Sequence, residues 1–527
     1  MNTKQSISKI ILTLILISSV LFSSVLFAQE NKNFKQDLEN FINQTLTAFE
    51  VPGVSVTIVK DSIIVLTKGY GTKNINTKEK VDSKTIFAIA SNTKAFTAAA
   101  MAILVDEGKI NWDDKVIDYL PDFQMYDPYV TREFTIKDLL SHHSGLSIGK
   151  GDLMLWPQST FTRKEVVKNL RYLKPSTSFR TRFSYSNLHY VTAGEVIEAV
   201  TGTTWENFVR EKILKPLGMN NTYMGVAEIG NVKNIATPHI PVEGKIQAVK
   251  IENTDVCGAA ASMLSNAEDI SKWLMLQLNK GKIPNTNKHL FSKMRSKEMW
   301  TPITIQSGKR GGRFPSTFSA YGLGWGIRDY NGKRIISHTG GYPGMISKTT
   351  LVPEIGLGIV VYTNQQSGAT FNLITNYILE HYFNLKHKGN IEKVKEAGQK
   401  RLARINKMLK EQEKKRNKNS LPSLKLEKYT GTYKDIWYGK IVISMKENAL
   451  FMNFLRSPGL KGKISHWQYN TFLVRWNDRT INADCFINFN IDEKGEIKNF
   501  TMKPISPLTD FSYDFHDLEF YPVKEKQ

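Results

Sequence analysis

Cysteine is scarce in this sequence of 527 residues, which contains only Cys257 and Cys485. Two cysteines build no disulfide framework, and neither belongs to a CxxC pair, so the sequence does not favour a metal or redox motif. The two cysteines fall in parts of the chain that are predicted below to be separate domains. We therefore expect two unpaired, buried thiols, although an exported protein has the option of pairing them.

Acidic residues are also in deficit, with 49 Asp and Glu against 71 Lys and Arg, which gives a net charge of +22. Much of the excess is concentrated in residues 386–418, which hold 13 Lys or Arg against 4 Asp or Glu. The remaining excess is dilute and forms no basic stripe, which argues against nucleic acid as a partner. We interpret the segment as a solvated basic stretch, with contact to an anionic membrane surface as the alternative.

Long apolar runs are missing except at the N-terminus. Two lysines precede the apolar stretch Ile10–Phe27, and a small residue and a polar run follow it. This order is typical of a secretory signal, which we predict over residues 1–28, so we expect a periplasmic or secreted protein. Leu26 stands where a small residue is usual, so an uncleaved membrane anchor is the alternative. No later apolar run approaches the roughly 20 residues that span a bilayer.

Three parts are predicted after the signal. The first, residues 33–384, has strand-like runs near its start and end and helical runs between them. This order predicts an α+β domain whose sheet is closed by both ends of the segment around a helical insert. The runs that carry the prediction are Val54–Val59, Ile63–Leu66, Arg334–Ser337, Ser347–Val352 and Gly358–Thr363 as strands, and Ile136–Ser141, Arg163–Tyr172, Leu188–Val200 and Trp205–Leu214 as helices.

The second part, residues 385–422, is predicted to be a basic helical linker. Apolar residues recur at three- and four-residue steps from Ile391 to Leu409, which predicts a helix with one apolar stripe, interrupted by Gly398. We expect this stripe to lie on the body of the protein. In the third part, residues 423–523, short strand-like runs repeat between turns, which predicts a small antiparallel barrel or sandwich. These runs are Lys440–Met445, Ala449–Phe454, Thr471–Trp476, Cys485–Ile491 and Ile497–Met502.

The chemistry begins at Ser91, which follows an apolar run and precedes a stretch rich in strong helix formers. This pattern predicts Ser91 at the start of a helix, with Lys94 three residues further on and within reach of its hydroxyl. Free backbone N–H groups at a helix start favour a developing oxyanion. Alone, an S-x-x-K match is weak, because Ser is a favoured helix cap and Lys is common three residues later.

Two further segments supply the missing context. Tyr185 and Asn187, in Tyr185-Ser186-Asn187, offer a hydroxyl that shuttles a proton and an amide that orients Lys94 and the substrate. The segment His338-Thr339-Gly340-Gly341 continues a predicted strand, whose polar edge suits the backbone of a substrate. The combination predicts nucleophilic catalysis by a serine with a lysine base.

With these motifs the chain resembles the serine β-lactamase and D,D-peptidase superfamily, in the branch related to class C β-lactamases. Three further stretches, Leu139–Leu146, Pro216–Thr222 and Tyr321–Gly326, are similar to recurring landmarks of that branch and follow its order. The resemblance covers roughly residues 34–382 and implies an antiparallel sheet with a helical subdomain. More loosely, the C-terminal part resembles the lipocalin-like β-barrel that follows the catalytic domain in some members.

The resemblance also implies roles for single residues. Ser91 attacks a carbonyl carbon, and Lys94 and Tyr185 serve as the bases and acids, with the identity of the first base left open. Asn187 and the strand His338-Thr339-Gly340-Gly341 bind the substrate. The backbone N–H groups of Ser91 and Gly341 form the oxyanion hole.

One departure from the family pattern concerns His338. Penicillin-directed members usually carry Lys there, whose charge binds a carboxylate, whereas esterases, aminopeptidases and amidases often carry His. A histidine is only partly charged near neutral pH. We therefore expect an exported serine hydrolase acting on an amide or ester, such as a D-amino-acid peptide or an acyl ester. A β-lactamase or D,D-carboxypeptidase is the first alternative, and a non-catalytic binding or sensor protein is the second.

Other candidates carry less weight. His142 and His143 suggest a metal, but adjacent residues point apart and no HExxH-type spacing appears, so no metal and no cofactor are predicted. Ser144 lacks the G-x-S-x-G elbow and is interpreted as part of a turn. Trp156 either lines the substrate cleft or, as we favour, belongs to the core. The predicted partner is a small-molecule or peptide substrate, and the oligomeric state is left open.

Overall fold

A computed structural model describes residues 32–308 and 311–524 of the chain. The predicted signal over residues 1–28 lies outside the described residues. Within the described part, no helix combines the length and the apolar character needed to cross a membrane.

The first body is built on an antiparallel sheet of eight strands in the order β2-β1-β12-β11-β10-β9-β8-β7. The N-terminal strand β1 pairs with the late strand β12 along its length, from Val54 opposite Thr363 to Lys60 opposite Leu357. This pairing confirms the predicted sheet closed by both ends of the segment. The first body contains the eight strands of this sheet and four others, β3 to β6. The strands are β1 Gly53–Lys60, β2 Ile63–Gly71, β3 Phe87–Ala88, β4 His239–Val242, β5 Lys245–Ala248, β6 Leu264–Ser265, β7 Thr304–Ser307, β8 Ser319–Tyr321, β9 Gly326–Tyr330, β10 Lys333–Tyr342, β11 Met345–Val352 and β12 Leu357–Thr363.

Helices cover both faces of this sheet and form a separate helical subdomain. On β1, the alternate residues Val54 and Val56 pack in one apolar cluster while Val59 belongs to the other, as the two-residue period of a strand requires. The predicted helices are confirmed as elements, with one ending in a 3₁₀ turn and another continuing as a π-helix. The helices are α1 32–48, α2 Thr93–Asp106, α3 Val116–Tyr119, α4 Pro128–Glu133, α5 Ile136–Ser141, α6 Arg163–Asn169, α7 Asn187–Thr201, α8 Trp205–Val209, α9 Lys215–Leu217, α10 Ala267–Leu278, α11 Lys293–Met299, α12 Gly368–Tyr382 and α13 Ile391–Lys414.

Helix α13 corrects one expectation. It runs through Gly398 without a break, and none of its residues is buried. The apolar stripe therefore does not lie on the body, and Leu402 remains 48% exposed. Good helix formers on almost every position, together with ion pairs such as Lys400–Glu396, stabilise the helix without tertiary packing. Contact of this surface with a membrane stays a prediction.

The C-terminal part is a closed antiparallel barrel in which each strand pairs with the next and the last pairs with the first. Side chains alternate between inside and outside, and the interior is filled by aromatic rings such as Tyr429, Phe472 and Phe489, whose centroids lie 4.8–5.5 Å apart. The predicted barrel is confirmed, and both Cys257 and Cys485 are buried free thiols, as expected. The strands are β13 Gly431–Asp435, β14 Gly439–Lys446, β15 Ala449–Phe454, β16 Lys461–Gln468, β17 Thr471–Trp476, β18 Cys485–Ile491, β19 Ile497–Pro504 and β20 Glu519–Pro522.

Candidate active site

Ser91 lies in a 3₁₀ turn, Ala90–Asn92, that leads directly into α2. Ala90 takes a positive φ of 47°, a strained conformation for a non-glycine residue, at the residue before Ser91. Neither the 3₁₀ turn nor α2 has a side-chain cap at its N-terminus, so the hydroxyl of Ser91 does not serve as a helix cap. The turn presents Ser91, which is partly exposed, at the cleft between the sheet, the helical subdomain and the barrel.

Lys94 is fully buried one helical turn from Ser91. Its Nζ lies 3.2 Å from Ser91 Oγ, 2.7 Å from Asn187 Oδ1 and 2.9 Å from the carbonyl oxygen of Ala260. The amide and carbonyl oxygens only accept, so they take two N–H donors of Lys94. In the neutral amine, the lone pair then faces Ser91, which is the arrangement that a base requires.

Burial lowers the pKa of Lys94 from 10.5 to about 7, because the charged form loses its hydration, while the nearby Asp152 carboxyl and the Cys257 thiol oppose this shift. An amine with this pKa is partly neutral near pH 7. A lysine must lose its proton to act as a base, and burial of Lys94 makes this possible.

Tyr185 sits in the extended segment that enters α7, with its ring centroid 4.7 Å from Lys94 Nζ. Burial raises the pKa of Tyr185 well above its usual 10, although a hydrogen bond with Ser91 opposes the shift. The phenol therefore holds its proton at neutral pH. His142 supports this segment, because its Nδ1 accepts a hydrogen bond from the backbone N–H of Ser186 at 3.2 Å and its ring packs 4.3 Å from that of Tyr185.

Strand β10 forms the opposite wall of the site. It pairs with β11 as far as Tyr342, whereas its pairing with β9 ends at Ser337, so the edge from His338 onward is open toward the cleft. Gly340 packs against the turn that carries Ser91, and a Cβ there would lie 2.1 Å from the carbonyl oxygen of Ile89. Glycine is needed at this position because any side chain would push the strand away from Ser91.

His338 is buried beside this open edge. Its Nδ1 donates to the carbonyl oxygen of Thr339 at 2.7 Å, and its Nε2 lies 2.8 Å from the hydroxyl of Tyr321. A neutral imidazole with its proton on Nδ1 fits both contacts, since the Tyr321 hydroxyl then donates to Nε2. Burial, reinforced by the nearby Lys94, lowers the pKa of His338 to about 3. The partial charge expected from the sequence is therefore absent, and His338 acts as a neutral polar group.

A second layer of polar groups was missed by the sequence reasoning. Asn187 donates from Nδ2 to Asp152 at 2.8 Å, and Asp152 also accepts from Ser512 Oγ at 2.9 Å. Asp152 is fully buried, and its Oδ1 has no hydrogen-bond partner within the described part of the chain. Asp152 follows the Leu139–Leu146 landmark within a few residues, but nothing in the sequence connects it with Ser512, which belongs to the barrel.

The structure also shows where the weaker candidates His142, His143 and Trp156 lie. His142 faces Tyr185, whereas His143 bonds Asp138 at 2.6 Å, so the two rings do not share a ligand position. Across the described residues no group of three or more His, Cys, Asp or Glu side chains is arranged to hold a metal ion. Trp156 lines the cleft, and its half-buried side chain also packs against the hydrophobic core, so each of the two interpretations holds in part.

The sheet, the helical subdomain and a serine beside a buried lysine define a fold and site of the β-lactamase and transpeptidase type. A family model described as Beta-lactamase matches residues 38–382, and the chain belongs to this family. Residues 415–522 match a Domain of unknown function (DUF3471), which contains the barrel.

Similar curated proteins include hydrolases. An unguisins hydrolase from Aspergillus campestris is 32% identical, with 62% of this chain and 61% of that protein covered. Protein flp from Staphylococcus aureus strain N315 is 28% identical, with 63% of this chain and 64% of that protein covered. The chain thus spans less than two thirds of the length of these relatives.

Solved structures show the same fold. The octameric penicillin-binding protein homologue from Pyrococcus abyssi superposes with a TM-score of 0.58 at 22% identity, covering 92% of this chain and 99% of the homologue. A D-amino acid amidase from Ochrobactrum anthropi SV3, in complex with L-phenylalanine, superposes with a TM-score of 0.56 at 22% identity, covering 66% and 99%. At these identities the likeness concerns the fold alone.

Proposed function

We propose that this protein is an exported serine hydrolase that cleaves an amide or ester through an acyl-enzyme on Ser91. The observation that carries the proposal is the placement of Lys94, which is fully buried and 3.2 Å from Ser91 Oγ, with its other two hydrogen-bonding positions occupied by acceptors. A buried amine so arranged is suited to be a base.

The chemistry follows from these positions. Ser91 Oγ bonds to the carbonyl carbon while its proton passes to Lys94, and the carbonyl electron pair moves to the oxygen. The N–H groups of Ser91 and Gly341 stabilise that oxyanion, and each such donor typically contributes about 3–4 kcal/mol. Collapse expels an amine or alcohol, which takes up the proton, and water then repeats the sequence to release the acid.

The raised pKa of Tyr185 bears on the choice of base that the sequence left open. A phenol that holds its proton is a donor rather than a base, so we assign Lys94 as the first base. Tyr185 then relays the proton from Lys94 to the leaving group. In deacylation the same pair works in reverse on the attacking water.

The neutral state of His338 favours substrates without a carboxylate at the open edge of β10. This supports a neutral amide or ester over a penicillin or a terminal D-alanine, both of which present a carboxylate. The names of two similar proteins are consistent with this proposal: one is an unguisins hydrolase, and the other, a D-amino acid amidase, acts on an amide.

Labelling with a fluorophosphonate probe tests the proposal. The full chain should gain one phosphonyl group on Ser91, identified by mass spectrometry of the digest, and Ser91→Ala should gain none. Ser144→Ala removes another serine hydroxyl, which accepts from the N–H of Leu146 and which the mechanism does not use, so this variant should be labelled like the native protein. Equal labelling of Ser91→Ala would reject the site.

A substrate panel then separates the alternatives. Nitrophenyl esters and D-amino-acid anilides should be turned over, whereas nitrocefin should be turned over far more slowly. Fast nitrocefin hydrolysis would favour the β-lactamase alternative, and no turnover of any member together with no labelling would favour a binding protein. Export is tested by fractionation of the producing cells, where retention in the cytoplasm would contradict it.

A further inference from the structure

The segment 505–518, between β19 and β20 of the barrel, leaves the barrel and lies on the active site. Leu508, Asp510, Phe511, Ser512 and Tyr513 line the same cleft as Ser91. Its contacts with the first body converge on one loop, residues 147–153. This loop in turn touches the segment that carries Tyr185 and Asn187.

The hydrogen bonds between segment and loop involve buried groups. Asp514 is fully buried, and its carboxylate accepts from the N–H groups of Gly151 at 2.6 Å and Leu153 at 3.0 Å. The neighbouring Lys150 forms an ion pair with Asp517 at 2.9 Å. Buried bonds of this kind fix geometry more firmly than exposed ones.

Phe511 approaches a glycine of the same loop. Gly149 has a φ of +71°, and a Cβ there would lie 2.6 Å from the carbonyl oxygen of Phe511. The N–H of Gly149 donates to the carbonyl oxygen of Tyr185 at 3.1 Å, and the Phe511 ring lies 6.1 Å from that of Tyr185. The barrel therefore also packs against the residue that relays protons in the proposed mechanism.

One chain of hydrogen bonds runs from the barrel to the base. Ser512 Oγ donates to Asp152 Oδ2 at 2.9 Å, Asn187 Nδ2 donates to the same oxygen at 2.8 Å, and Lys94 Nζ donates to Asn187 Oδ1 at 2.7 Å. Because Asn187 is fixed from the Asp152 side, its amide oxygen is presented to Lys94 rather than its amide nitrogen, which would repel an ammonium group.

We propose that the barrel completes the active site, with Ser512 and Asp152 as positioning residues that hold Asn187 and Lys94 in place for the attack by Ser91. This inference rests on the proposed function. It makes the C-terminal domain a part of the catalytic machinery, and it assigns the 505–518 segment as one wall of the substrate cleft.

The inference predicts the direction in which the pKa of Lys94 changes when the Ser512 hydroxyl is removed. Burial raises the pKa of Asp152 to about 7, and the hydrogen bonds from Asn187 and Ser512 oppose this rise. Without the Ser512 hydroxyl, Asp152 takes up a proton more readily, and the support that its charge gives to protonated Lys94 weakens. The pKa of Lys94 should then fall further. The other titratable groups that face Lys94 or Asp152 are Tyr185, Tyr190, His142, His338, Cys257, Asp510 and Asp514.

The experiment measures the rate of fluorophosphonate labelling of Ser91 against pH in the full chain. In Ser512→Ala the midpoint of the rise with pH should move down by about half a pH unit, and in Asp152→Asn by about one unit. The rate above the midpoint should fall by about tenfold in both, because Asn187 loses its fixed orientation. Ser512→Thr keeps the hydroxyl and should retain the native profile.

Ser506→Ala is the matched control, because Ser506 lies in the same segment and, among the described residues, its hydroxyl oxygen accepts only from the N–H of Leu508. It should leave the profile unchanged. Native midpoints and rates in both Ser512→Ala and Asp152→Asn, at unchanged unfolding temperature, would overturn the inference, and a shift in Asp152→Asn alone would overturn the part assigned to the barrel. Failure of the proposed function looks different, since the native protein would then not be labelled at Ser91 at all.

Discussion

The protonation state of Lys94 sets the pH range of the proposed activity. Its pKa is lowered from 10.5 to about 7, so the fraction of neutral amine rises as the pH rises through 7. We expect the rate of ester hydrolysis to increase through that range and then level off. Lys94→Arg should lose about a thousandfold in rate at every pH, because a guanidinium does not release its proton. A pH-independent rate, measured with a nitrophenyl ester at saturation and below it, would contradict this assignment.

Gly340 offers a steric test of the contact between β10 and the nucleophile. In Gly340→Ala the added Cβ would meet the carbonyl oxygen of Ile89 at 2.1 Å and Ser347 Oγ at 2.4 Å. The strand or the turn of Ser91 must shift, so we expect kcat to fall by about a hundredfold and the stability by about 1–3 kcal/mol. Gly398→Ala is the control, because its Cβ would meet no atom within 4 Å. Native kcat in Gly340→Ala would show that the close contact is dispensable.

Single residues also mark how far the sequence alone could reach. The motifs predicted which side chains meet around Ser91. The three-residue spacing placed Lys94 on the same helix, and the resemblance to the family placed Tyr185 and Asn187 beside it. The charge of His338 was not predictable, since it depends on burial and on the hydroxyl of Tyr321, which only the folded sheet brings within 2.8 Å. Asp152 was missed for the same reason: its partners come from α7 and from the barrel.

Helix α13 shows the limit of periodicity at the level of an element. The spacing of apolar residues correctly predicted a helix with a stripe, but it does not reveal whether another surface covers that stripe. Strands were predicted where apolar and aromatic residues form a short run between turns, as in β15 and β17. The short β20 and the lysine-rich β16 were not predicted. These strands form because they pair with neighbouring strands of the closed barrel, and this pairing cannot be inferred from their own residues.

The exposed stripe of α13 leads to a stability prediction. Leu402 is 48% exposed, whereas Leu379 in α12 is 1% exposed. Leu402→Gln should change the free energy of unfolding by no more than about 0.5 kcal/mol, whereas Leu379→Ala should lower it by about 2–5 kcal/mol. Chemical denaturation of the purified chain measures both. A large loss in Leu402→Gln would mean that the stripe is covered in solution.

At the scale of the whole molecule, specific polar contacts join the first body to the barrel, so the two are not held together by the connecting segment alone. Arg456 of the barrel bonds Glu165 of α6 at 2.7 Å, and Asn169 donates to the carbonyl oxygen of Trp437 at 2.8 Å. Together with segment 505–518, these contacts bind the barrel to the helical subdomain on the side that carries Tyr185 and Asn187. The barrel should therefore unfold together with the body to which it is attached.

Asp514 is the residue on which that coupling depends most. Its carboxylate is fully buried and accepts from the N–H groups of Gly151 and Leu153, which would have no acceptor in Asp514→Ala. Leaving buried donors unpaired costs about 1–3 kcal/mol each. We expect calorimetry to show one transition for the native protein and two separated transitions for Asp514→Ala, with the first at lower temperature. Asp514→Asn keeps one acceptor oxygen, so its first transition should lie between that of the native protein and that of Asp514→Ala. A single, unshifted transition in Asp514→Ala would mean that the other contacts alone join the barrel to the body.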